Sequence, residues 1–105
     1  MLQNNIHISD SQMQVVKEIL KQNFSNVTVW VFGSRVLENY KSYSDLDIAL
    51  EFKDNNELKF KKIAASTSDF IDSDLPFKVD LVDYNSLGGI IKQNIDEAKI
   101  KLILD

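Results

Sequence analysis

The chain has 105 residues, no cysteine, and 44% hydrophobic and 27% charged content. This fits one modest core and excludes a disulfide framework, a thiolate zinc site and a disordered chain. Twelve basic against sixteen acidic residues leave a net charge of -4, which argues against direct nucleic-acid binding, since such proteins present a basic surface. No apolar run approaches the ~20 residues that cross a bilayer, and MLQNNIHISD lacks the basic start and apolar middle of a signal peptide. The expected setting is therefore the cytoplasm, with no membrane contact.

Ser9 or Asp10 predicts the cap of a helix running to about Asn23, with Met13, Val16, Ile19 or Leu20, and Phe24 at helical spacing. VTVWVF, residues 27–32, is β-branched and aromatic and reads as a strand buried on both faces. Gly33 breaks it, and Leu37 to Ser44 reads as a short helix or turn followed by a loop. From Asp45 to Phe52 the pattern has period two. Leu46, Ile48, Leu50 and Phe52 face one way, and Asp45, Asp47, Ala49 and Glu51 the other. Asp54-Asn55-Asn56 is turn chemistry that can cap a second helix, roughly Glu57 to Phe70. IDSDLP follows as a loop, and KVDLVDY, residues 78–84, as a third strand. Asn85 or Ser86 starts a last helix towards Ala98, weakened by Gly88-Gly89, and IKLIL, residues 100–104, closes as an edge strand. With no repeat and no linker, residues 1–105 read as a single α/β or α+β domain.

Asp45 and Asp47 leave the same face of their strand, ~7 Å apart. Asp80 interrupts a second apolar strand, and if the two strands are neighbours it reaches the same face. Carboxylates gathered in this way repel one another unless a cation intervenes, and hard oxygen ligands suit Mg²⁺ or Mn²⁺. Gly33-Ser34 directly follows the first strand, where glycine permits close backbone approach and free N–H groups attract phosphate. Ser34 adds a hydroxyl, and Arg35 either binds phosphate or pairs with Glu38 on the surface. These parts describe metal-assisted phosphoryl or nucleotidyl transfer. Other notable residues have plainer readings. Alternation puts Asp83 opposite Asp80, and Trp30 and Phe32 read as core rather than a base-stacking platform. Asp69, Asp72 and Asp74 read as a solvated loop, Lys59, Lys61 and Lys62 as a wet helix face, and His7 as inert.

GSRVLENYKSYSDLDIAL, with the later VDLVD, resembles the Gly-Ser, gap, Asp-x-Asp signature of the polymerase-β-like nucleotidyltransferases. In particular it resembles the minimal nucleotidyltransferases paired with HEPN-domain proteins in toxin–antitoxin modules. The resemblance covers nearly the whole chain. It departs in one place: VLEN follows Arg35, where many members carry a glycine or small residue. The resemblance implies a nucleotidyltransferase fold, with a short mixed sheet and helices packed mainly on one face. It implies that Asp45, Asp47 and Asp80 bind a pair of Mg²⁺ ions, or Mn²⁺, and act in catalysis. Gly33 and Ser34, with Arg35, would hold the phosphates of ATP or another nucleoside triphosphate. It also implies a HEPN-domain partner in a hetero-oligomer, with AMP moved to a partner hydroxyl, a tyrosine, to silence a toxin. Two rivals are a non-catalytic antitoxin that neutralises by binding, and nucleotidylation of a small molecule with a partner subunit.

Overall fold

A computed structural model describes residues 5–54 and 57–104. The elements in order are helix α1 (Asp10–Asn23), strand β1 (Val27–Phe32), strand β2 (Leu46–Phe52), helix α2 (Lys59–Asp72), strand β3 (Val79–Asp83), helix α3 (Gly89–Asp96) and strand β4 (Ile100–Leu102). Short 3₁₀ turns, Ser34–Val36 and Tyr84–Ser86, follow β1 and β3. Ser9, rather than Asp10, caps α1 through a complete capping box. Its hydroxyl accepts from the Gln12 N–H at 3.1 Å, while its own N–H donates to Gln12 Oε1 at 2.8 Å. Asn26 then takes a left-handed φ of 54°, which asparagine tolerates, and turns the chain into β1.

The sheet order is β3-β2-β1-β4. β1 runs antiparallel to both β2 and β4, whereas β2 and β3 are parallel, with α2 as the crossover that parallel pairing demands. β4 lies at one edge, as expected, but spans only Ile100–Leu102 of the expected residues 100–104. α1 and α2 cover one face, where Val16 and Leu20 pack on Val29, Val31, Leu46, Ile48 and Leu50. α3, only 8 residues long, covers part of the other face through Ile95, which packs with Tyr84 of the preceding 3₁₀ turn on Ala49. β1 is therefore not buried equally on both sides. Val29 and Val31 are 1% exposed, while Trp30 and Phe32 are half-buried.

Several boundaries differ from the sequence expectation for local reasons. α2 begins at Lys59 and runs on to Asp72, so Ile71 and Asp72 are helical rather than loop. The cap expected from Asn55 and Asn56 lies outside the described residues, and Asp54 accepts a hydrogen bond from Asn26 Nδ2 at 3.2 Å. The last helix begins at Gly89, because Asn85 and Ser86 are committed elsewhere. Asn85 brackets Phe52, accepting from its N–H at 2.8 Å and donating to its carbonyl at 3.2 Å. Ser86 Oγ donates to Asp83 Oδ2 at 2.7 Å. Lys59 is no wet-face lysine either: it forms a 2.8 Å ion pair with the buried Asp83. That pair tethers α2 to β3 and occupies Asp83 on the helix-covered face.

Candidate active site

The alternation in β2 sends Leu46, Ile48 and Leu50 into the core and leaves Asp47 on the opposite face. The parallel register then sets Asp80 of β3 directly beside Asp47. Asp45, just ahead of β2, completes the group, and one oxygen from each of the three carboxylates lies within 4.8 Å of the others. Asp45 is exposed, whereas Asp47 and Asp80 are half-buried. Burial pushes the Asp47 carboxyl up to about 6, with the charges of Asp80 and Asp45 adding to the rise and Lys78 opposing it. Lys78 also pairs with Asp80 at 3.3 Å, an exposed contact of little energetic weight. Three clustered carboxylates with one neighbouring lysine leave a deficit of positive charge. Their hard oxygens fit a divalent cation, which makes this a candidate metal site.

Gly33 packs against the same carboxylate and is required on two counts. Its φ of +81° is unfavourable for any residue with a Cβ, and a Cβ built there would collide with Asp47 Oδ2. Ser34, half-buried, opens the 3₁₀ turn that follows. Gly33 thus lies beside the Asp47 carboxylate, and Ser34 follows it in the chain.

Arg35 is engaged elsewhere, and its guanidinium is not free for the phosphate contact expected of it. It is 4% exposed, and its guanidinium donates to the carbonyls of Ser44 at 3.0 Å, His7 at 2.9 Å and Ser42 at 2.9 Å. It also lies 4.2 Å from the centre of the Phe77 ring. Among the described residues it forms no ion pair with Glu38 either. Its cation is satisfied by loop carbonyls, so Arg35 braces the segment ending at Asp45 rather than facing a ligand. His7 shares in that brace: its ring stacks on Tyr40 at 4.6 Å, and its N–H donates to the Arg35 carbonyl at 2.7 Å.

The family described as Polymerase beta, Nucleotidyltransferase matches residues 14–104 of this chain. The chain belongs to this nucleotidyltransferase family. A probable protein adenylyltransferase, MntA, of Haemophilus influenzae is 40% identical over 79 residues, 75% of this chain and 68% of that protein. Among solved structures, one chain of a toxin–antitoxin complex with AMP-PNP is 25% identical with a TM-score of 0.57, covering 85% of this chain and 70% of that chain. A complex of tri-AMPylated HEPN toxin with MNT antitoxin from Shewanella oneidensis contributes a chain 26% identical, TM-score 0.52, with the same coverage of 85% and 70%. The mixed four-stranded sheet is the nucleotidyltransferase fold expected from the motif.

The motif did not single out the residues around Gly33 that come from α3 and the turn before it. Leu87, Ile91 and Ile95 recur every four residues and line an apolar groove with Phe32 and Gly33. Phe32 is therefore not simply core. The helical spacing was the available signal, but the glycine pair and the short helix obscured it.

Proposed function

We infer that this nucleotidyltransferase transfers AMP from ATP to a hydroxyl of a HEPN-type toxin, a tyrosine, and so acts as an antitoxin. The reading rests on the convergence of Asp45, Asp47 and Asp80 within 4.8 Å beside Gly33. The similarity to a protein adenylyltransferase and to chains of toxin–antitoxin complexes supports it. The three carboxylates would hold Mg²⁺, or Mn²⁺, with a pair of ions as the expected complement. When bound, the metal stabilises the negative charge that develops on the α-phosphate. The chain's own residues do the rest. The Gly33 backbone has no side chain to keep a phosphate away, and the turn at Ser34 offers N–H groups and a hydroxyl to it. The acceptor oxygen bonds to the α-phosphorus, the bond to the β-phosphate oxygen breaks, and pyrophosphate leaves. Asp80, half-buried beside Asp47, would take the acceptor's proton. Among the described residues no helix is long and apolar enough to cross a membrane, and the proposal sets the reaction in the cytoplasm, where ATP and Mg²⁺ are supplied.

Mixing the chain with its partner, ATP and Mg²⁺ tests this by intact-mass measurement. The partner is expected to gain the mass of one AMP per modified hydroxyl. An Asp45→Asn, Asp47→Asn double variant should still bind the partner and leave it unmodified. A partner that binds the unaltered chain yet stays unmodified, and is still neutralised by the double variant, would favour the purely binding antitoxin.

A further inference from the structure

β3 is an open edge of the sheet. It pairs with β2 on one side, and among the described residues no strand pairs with its other side. The ladder fixes which groups are left over. The Leu46 N–H donates to the Lys78 carbonyl at 2.9 Å, so Lys78, Asp80 and Val82 turn their backbone groups towards β2. Val79, Leu81 and Asp83 turn theirs outwards. Such a row is a template for another extended chain, and here it belongs to the strand that carries Asp80. Both sides of this edge are already shaped. Lys78 and Asp80 stand on the face of the carboxylates, paired at 3.3 Å, with Lys78 the more exposed. On the helix-covered side a groove of about 450 Å³ runs along β3, lined by Thr67, Ile71 and Leu75 with Val79 and Leu81. Ile71 of α2 is 75% exposed, an apolar side chain left to solvent there.

We propose that this edge receives an extended segment of the partner, antiparallel to β3, with its acceptor tyrosine opposite Asp80; the assignment rests on the nucleotidyl-transfer reading. Residues directly opposite in an antiparallel pair project from the same face. Asp80 commits its own backbone groups to β2, so the residue opposite it takes a non-hydrogen-bonded position, where side chains are closest. A tyrosine there stands beside the carboxylate proposed to take its proton. Its two neighbours exchange hydrogen bonds with Val79 and Leu81. Their side chains, on the alternate face, enter the groove at Ile71. Two residues after the tyrosine the segment lies opposite Lys78, where an acidic residue complements the ammonium. The occupant is thus an extended tyrosine segment with an apolar residue on each side and an acid two residues on.

Amide hydrogen exchange gives a test that needs no turnover. In the chain alone, the Leu81 N–H should exchange fast between slowly exchanging Asp80 and Val82. Partner binding without nucleotide should slow Leu81 by roughly tenfold or more. A Leu81 amide that stays fast in the complex overturns the assignment. Protection of Leu81 in a dimer of the chain alone would give the edge to a second copy and overturn it as well. The second test uses the capped peptide Thr-Val-Tyr-Val-Glu with ATP and Mg²⁺, read by mass, and AMP should appear on its tyrosine. N-methylation of both valines removes the hydrogen bonds to β3 and should slow modification roughly tenfold or more. N-methylation of the tyrosine, whose N–H points away from β3, should not. Ile71→Ser should raise the KM for the peptide with kcat held. Equal modification of all three peptides overturns the assignment, as does an unmodified parent peptide under conditions where the partner is modified. A partner that itself stays unmodified would defeat the nucleotidyl-transfer reading, and this assignment with it.

Discussion

Gly33, Asp47 and Arg35 lie close together and do three different physical jobs. Gly33→Ala forces a Cβ into a left-handed backbone and into the Asp47 carboxylate. Denaturant unfolding should register a loss of about 1–3 kcal/mol, with metal binding weakened in parallel. Asp47 has the opposite sign. Its folded-state carboxyl is raised to about 6 from an ordinary 3.8, so the folded chain holds more protons than the unfolded one between those values. Without metal, stability therefore falls as pH rises through that window. Asp47→Asn should flatten the fall and raise the metal-free melting temperature at neutral pH, while abolishing the further rise that Mg²⁺ gives the unaltered chain. Arg35→Met strands three carbonyls that now share one guanidinium. It should cost about 2–4 kcal/mol. Tripolyphosphate affinity, measured where the variant remains folded, should hardly move, because the guanidinium points into the loop.

At the scale of elements, the order of the sheet depends on how α2 is tied down. Lys59, at the first turn of α2, pairs with Asp83 at the end of β3, and both are largely shielded from water. Burial alone would push the Asp83 carboxyl up. Hydrogen bonds from Lys59 and Ser86, and the lysine charge, outweigh that and leave it below its ordinary value. A depressed carboxyl gives stability above its unfolded pKa, and that stability disappears as pH falls through the folded one. Lys59→Met should thus cost about 3 kcal/mol at neutral pH and much less in acid, where Asp83 is protonated in either protein. Urea melts of both proteins at several pH values would separate the two cases.

At the scale of the whole molecule, the sheet divides labour between its faces. Ile48 is fully buried beneath the helices, so Ile48→Ala should destabilise by about 2–5 kcal/mol. Asp47→Asn, one residue earlier and on the other face, should do the reverse. This division was legible from residues 45–52, because period two is a local property of one strand. The pairing of Asp80 with Asp47 was legible only in part. The sequence showed acids interrupting apolar strands, while adjacency came from the parallel register. The role of Arg35 was not legible, since its partners are backbone carbonyls and carry no side-chain signature. The start of α3 was displaced for a similar reason: Asn85 and Ser86 look like caps, but β2 and Asp83 claim their side chains. Lys59 looked like a wet lysine because its partner lies far along the chain.

The parallel pairing of β2 and β3 has one more consequence. Asp47 and Asp80 are separated in sequence by the whole of α2, and only a completed crossover sets them side by side. A chain caught half-folded carries every acidic residue of the site but has no site. Metal uptake in such a protein is a readout of finished tertiary structure, and it should disappear in the same transition as the sheet.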